Sequence, residues 1–131
     1  DVGYLDSGGR LWFCGRKGHR VMTASGPLYT VPCEAIFNRH PAVFRSALVG
    51  VGKWGKQVPV IVIEPHPERF PKAEDAKNNL SRELLHLASA YPHTSDFRYV
   101  LFHRSFPVDI RHNAKIFREK LAIWAEKRIL V

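Results

Sequence analysis

The 131-residue sequence has two cysteines, one methionine and no apolar run long enough to cross a bilayer. Cys14 and Cys33 are too far apart for a Cys-x-x-Cys pair, which excludes a zinc ribbon or a thioredoxin-like redox centre; two reduced, mostly buried thiols are expected. None of the seven histidines stands four residues from another with a carboxylate base between them, so no helical zinc site is encoded and no metal ligand is assigned. A Gly-x-Ser-x-Gly elbow, a glycine-rich phosphate loop and a pair of catalytic carboxylates are also missing. There is no charged-then-apolar leader. The chain therefore reads as soluble and cytoplasmic, and its start at Asp1, inside what reads as a hairpin, suggests a fragment of a longer polypeptide.

What is present is 45% hydrophobic residues, enough for one domain with a real core, and a formal charge of +8. Such a charge suits polyanionic partners. The basic residues are scattered rather than clustered with aromatics, so no nucleic-acid partner is expected, and a nucleoside triphosphate or an acidic lipid surface would suit the charge equally well. A self-contained basic α+β binding module remains open on these grounds.

Val2 to Leu5 and Arg10 to Cys14 flank the turn-forming Asp6-Ser-Gly-Gly9 and predict a β-hairpin. Val21 to Thr23 and Leu28 to Val31 predict a second one, and Pro32 fits the first position of a short helix running through Phe37. Glu34 would lie in its first turn, where negative charge is favoured, and is given a structural role only. The β-branched runs Ala42 to Val51 and Val58 to Glu64 predict strands covered on both faces, with Trp54 in the turn between them. Leu80, Leu84, Leu87 and Tyr91 share one face of a helix expected over about 72–91, and 97–103 reads as a third strand. The fold class is α+β: a three-stranded sheet flanked by helices and preceded by β-hairpins.

The segment from Pro107 to Arg118, Pro-Val-Asp-Ile-Arg-His-Asn-Ala-Lys-Ile-Phe-Arg, places Lys115 between an extended stretch and a helix. Asn113 is a good N-cap, and Phe117, Leu121 and Trp124 recur on one face while Arg118, Glu119, Lys120, Glu126 and Lys127 can face water. Lys115 then sits at or before the first helical turn, where the macrodipole disfavours a cation. Such a charge is either one more solvated lysine or one kept for an incoming anion. His112 beside it reads as a solvent-facing turn histidine.

This segment resembles the C-terminal lysine motif of the adenylate-forming superfamily of acyl-CoA synthetases, luciferases and peptide-synthetase adenylation domains. The usual Thr-x-x-Gly-Lys is replaced by Arg111-His-Asn-Ala-Lys115, so glycine has become Ala114. Together with Gly9-Arg-Leu-Trp-Phe-Cys-Gly-Arg-Lys17, the wording is most similar to the beta-lactone synthetases of bacterial long-chain olefin biosynthesis. The resemblance implies that residues 1–17 are a hairpin closing a large N-terminal adenylation domain and that 18–131 form a small mobile C-terminal domain. It implies Lys115 as the catalytic lysine, Asp1 and Arg16 as contacts to the nucleotide ribose, and Lys17-Gly18 as the hinge, with Gly18 where the family usually has Asp or Lys. Glycine takes up large backbone rotations without a Cβ penalty, which is compatible with a pivot.

The implied activity is ATP-dependent formation of an acyl-adenylate from a fatty-acid-type carboxylate, with ATP and Mg2+ bound mainly by the large domain. A 2-alkyl-3-hydroxy acid would then close to a beta-lactone with release of AMP and pyrophosphate. A fatty acid-CoA ligase is the alternative. The N-terminal domain of the same polypeptide is the implied partner, with other olefin-pathway enzymes as further ones, and this piece alone would be inactive.

Overall fold

The computed structural model describes residues 2–112 and 115–129. Asp1, Asn113 and Ala114, with the side chain of His112, lie outside the described residues, so the expectations placed on Asp1 and on Asn113 as a cap fall outside them too.

β1 (Val2–Leu5) and β2 (Leu11–Gly15) form the first hairpin. The Asp6 carboxylate organises its turn by accepting from the backbone N–H of Gly8 and Arg10, from Arg10 Nε and from Trp12 Nε1. Tyr4, Leu5, Leu11, Trp12 and Phe13 stay exposed on this hairpin. A 3-10 turn, Lys17–His19, leads to a second hairpin of β3 (Val21–Thr23) and β4 (Gly26–Leu28). Its second strand is shorter than expected, because helix α1 (Thr30–Phe37) claims Thr30 and Val31. Pro32 is still in the first turn, where its missing N–H is not needed.

β5 (Val43–Val51), β6 (Val58–Pro65) and β7 (Tyr99–Phe102) make the three-stranded sheet, in the order β5-β6-β7. β5 and β6 are antiparallel; β7 runs parallel to β6, reached through helix α2 (Glu74–Ser89), as a parallel connection requires. Successive residues of a strand face opposite ways, and here each way leads to a core. On one side Leu48, Ile61 and Ile63 pack with Ile36 and Phe37 of α1 and Leu80, Leu84 and Ala88 of α2. On the other, Ala47, Val49, Val51, Val60 and Val62 pack with Phe106 and with Leu121 and Ala125 of helix α3 (Arg118–Ile129). Each fully buried Val, Ile or Leu contributes about 1.5–3 kcal/mol, so a one-residue slip of β6 would exchange the two cores' side chains and is strongly opposed.

Between the sheet and α3 lies a feature that residue patterns did not announce. β8 (Val108–Asp109) pairs antiparallel with β9 (Lys115–Ile116), with a 3-10 turn at Ile110–His112.

Candidate functional site around Lys115

The β8–β9 hairpin is closed at its base by the Phe117 N–H, which donates to the Pro107 carbonyl at 2.9 Å. Val108 faces Ile116 across the strands, and both pack on the α3 side of the sheet. Alternation along β9 therefore sends Lys115 away from that core. It is half-buried, and among the described residues no carboxylate stands at salt-bridge distance from its ammonium. Asp109, its cross-strand neighbour, is engaged by Arg111, whose N–H donates to Oδ1 at 3.0 Å and whose Nε lies 3.8 Å from it.

This placement narrows the sequence expectation of a lysine at or before the first helical turn. Lys115 is in a strand three residues ahead of Arg118, where α3 begins, because Phe117 closes the hairpin and its carbonyl then accepts from Lys120 and Leu121 to start the helix. The helix dipole is thus not what Lys115 works against.

Arg118, expected to face water, is instead one half of a largely buried pair, its side chain 17% exposed. Its Nη2 lies 2.7 and 3.0 Å from the two oxygens of Glu34 and its Nε 3.2 Å from Oε2, while the Leu48 N–H donates to the same Oε2 at 2.8 Å. Burial pushes the Glu34 carboxyl above its ordinary range, and the charge and hydrogen bonds of Arg118, with the Leu48 amide, pull it back. The pair nails the first residue of α3 to α1 and β5. Sequence alone marked Glu34 as structural but had no signal for a partner 84 positions away.

Glu119, the next residue, faces His19 at the end of the 3-10 turn, with Oε1 3.4 Å from Nε2. Burial lowers the His19 pKa first, and the charge of Arg118 lowers it further; Glu119 opposes this, and Lys115 adds to the lowering. The ring is therefore neutral at pH 7, within the field of the lysine. Of the predicted residues, Lys17 and Gly18 are thus brought beside the start of α3 through His19, and both are exposed. Arg16 is exposed with an extended backbone.

Gly15 and Gly18 differ in kind. Gly15 has φ +127°, and a Cβ there would meet Thr30 Oγ1 at 2.5 Å, so the present fold requires glycine. At Gly18 a Cβ would meet nothing within 4 Å and φ is ordinary, so the present conformation does not.

A concavity of about 530 Å³ lies elsewhere, between the β3–β4 turn, the β5–β6 turn and residues 92–99, with Lys56, His93, Asp96 and Arg98 among its polar groups. Lys115 does not line it. Among the described residues no three His, Cys, Asp or Glu side chains converge to hold a metal ion.

No protein-family model matches the chain. Over 128 residues, 98% of its length, it is 56% identical to an olefin beta-lactone synthetase of Xanthomonas campestris pv. campestris, and 50% identical over 129 residues to one of Stenotrophomonas maltophilia. The chain spans 22% of the length of each. An anthranilate CoA ligase solved in complex with anthranoyl-AMP shares the fold, with a TM-score of 0.79 over 98% of this chain and 24% of that one, at 22% identity. High identity along nearly the whole chain, and a fold found in one quarter of a larger ligase, agree on one placement: the chain belongs to the adenylate-forming superfamily and corresponds to its C-terminal domain.

Proposed function

We propose that the chain is the C-terminal part of an ATP-dependent carboxylate-activating enzyme and that Lys115 is its adenylation lysine. The observation that carries the reading is the cation itself: half-buried, on a strand paired with β8 and closed at its base, with no described carboxylate to neutralise it. A lysine so held is available to an anion from outside these residues. In the proposed step a carboxylate oxygen attacks the α-phosphorus of ATP and pyrophosphate leaves, although both reactants are anionic. The Lys115 ammonium, a compact charge on a flexible stem, would bridge the carboxylate and a nonbridging phosphoryl oxygen and offset that repulsion.

The 56%-identical relative favours a beta-lactone as product. The 3-hydroxyl oxygen of a 2-alkyl-3-hydroxy acyl-adenylate then attacks its own carbonyl carbon, the hydroxyl proton is lost, and AMP leaves. CoA thioester formation is the second reading, favoured by the shared fold of a CoA ligase. We assign residues 1–17 to the end of a large N-terminal domain, a reading supported by the uncovered Tyr4, Leu5, Leu11, Trp12 and Phe13, and 18–131 to a mobile domain. Asp1 and Arg16 are proposed as ribose contacts and Lys17-Gly18 as the pivot, which suits a glycine that the present conformation does not demand. ATP with Mg2+ is proposed for the parent enzyme, the metal ligands lying outside this domain.

In the full-length enzyme, Lys115→Ala is expected to lower acyl-adenylate formation by about two to three orders of magnitude with the thermal midpoint unchanged. Pyrophosphate exchange at the wild-type rate would remove Lys115 from the mechanism. Incubation with ATP and a 2-alkyl-3-hydroxy acid, with and without coenzyme A, separates the products: strict dependence on coenzyme A excludes the lactone.

A further inference from the structure

The strand that bears Lys115 runs into α3, whose first two residues are held from two directions. Arg118 is clamped by Glu34. Beside it, the Glu119 carboxylate meets His19, one residue past Gly18, on a side chain that is only 12% exposed. Glu119 itself is 70% exposed, so the contact is made from one side only. The neutral His19 ring can donate its Nε2–H to Glu119 while Arg118 and Lys115 stand near enough to depress its protonation. The 3-10 turn Lys17–His19 therefore touches α3 at its second residue, four positions after the lysine.

We propose that Glu119 and His19 are positioning residues for Lys115: their contact fastens the turn at the pivot to the first turn of α3, so that the lysine is carried with the pivot. Backbone rotation in the domain movement then falls before His19, at residues 16–18, and the geometry from His19 through Glu119 to Lys115 is preserved on arrival. Neither residue touches substrate; each acts through the placement of the lysine. The inference rests on the reading of Lys115 given above, and its test keeps the two apart.

In the full-length enzyme, single-turnover acyl-adenylate formation is measured for Glu119→Ala, Glu119→Gln, His19→Ala, the His19→Ala/Glu119→Ala double variant and Lys115→Ala. Glu119→Ala and His19→Ala are each expected to slow the step about three- to tenfold, the scale of one modest hydrogen bond, with KM for ATP unchanged. Glu119→Gln keeps an acceptor opposite Nε2–H and recovers most of the rate. The double variant is no slower than either single one, as expected for two residues acting through one contact. Wild-type rates in both single alanine variants beside a crippled Lys115→Ala overturn the positioning role, as do additive losses or a Glu119→Gln variant no better than Glu119→Ala. An undiminished Lys115→Ala overturns the reading beneath it, and the positioning role with it.

Discussion

Glu34 bears more of the structure than its size suggests, because one carboxylate binds Arg118 through two nitrogens and also satisfies the Leu48 amide. Removing one partner of a buried pair leaves the other charge desolvated and uncompensated, a loss of about 3–5 kcal/mol. Glu34→Ala is accordingly expected to lose about that much in urea unfolding, with Arg118→Ala close behind; a change under about 1 kcal/mol would show the pair to be no more than a surface contact. The two glycines around Arg16 give a contrasting pair. Gly18→Ala should leave stability unchanged or raise it by roughly 0.4–1 kcal/mol, since its φ is compatible with alanine. Gly15→Ala must place a Cβ against Thr30 at φ +127° and should destabilise clearly. Urea midpoints measured side by side decide it, and a Gly18→Ala variant less stable than Gly15→Ala would contradict the geometry.

Among the elements, α3 joins the titrating groups to the fold. His103 packs edge-on to Trp124 of α3 at 4.7 Å, and His19 reaches Glu119. Burial is the leading cause that lowers both pKa values below 6.5. A base whose folded-state pKa is depressed binds fewer protons folded than unfolded, so its stability contribution is present above 6.5 and lost as the pH falls through the window down to the folded value. Thermal midpoints are expected to decline as the pH drops below 6.5, and less so in a His19→Asn/His103→Asn variant. A midpoint that rises on acidification would reverse the assignment. Glu34 carries the opposite sign, over the window that runs upward from its ordinary value of 4.5: its raised carboxyl binds more protons folded than unfolded.

The same element shows what residue patterns can and cannot reveal. The long apolar runs of β5 and β6 and the leucine stripe of α2 repeat often enough to be read directly, and the structure places all three within a few residues of expectation. The β8–β9 hairpin was illegible because strands of two residues carry no period, so the lysine could be read only as lying at or before the first turn of the helix that follows. Arg118 looked solvated because its position on the helix suggested water, whereas a partner on α1 decides its burial. Legibility ended where contacts became distant in sequence.

At the scale of the whole molecule, the sheet is a partition. α1 and α2 close one side, α3 and the hairpin that carries Lys115 the other. β6 is bonded to a neighbour on each flank, and Val60 through Ile63 are wholly out of solvent, while the turn at Ile110 and Arg111 is open to it. Local opening follows such differences in cover. Placed in heavy water, the amides of Val60–Ile63 should take up deuterium last and those of 110–112 among the first; equal uptake would deny the contrast. The tip of the hairpin that carries Lys115 can thus breathe on a fast clock while the strand behind it keeps time for the fold as a whole.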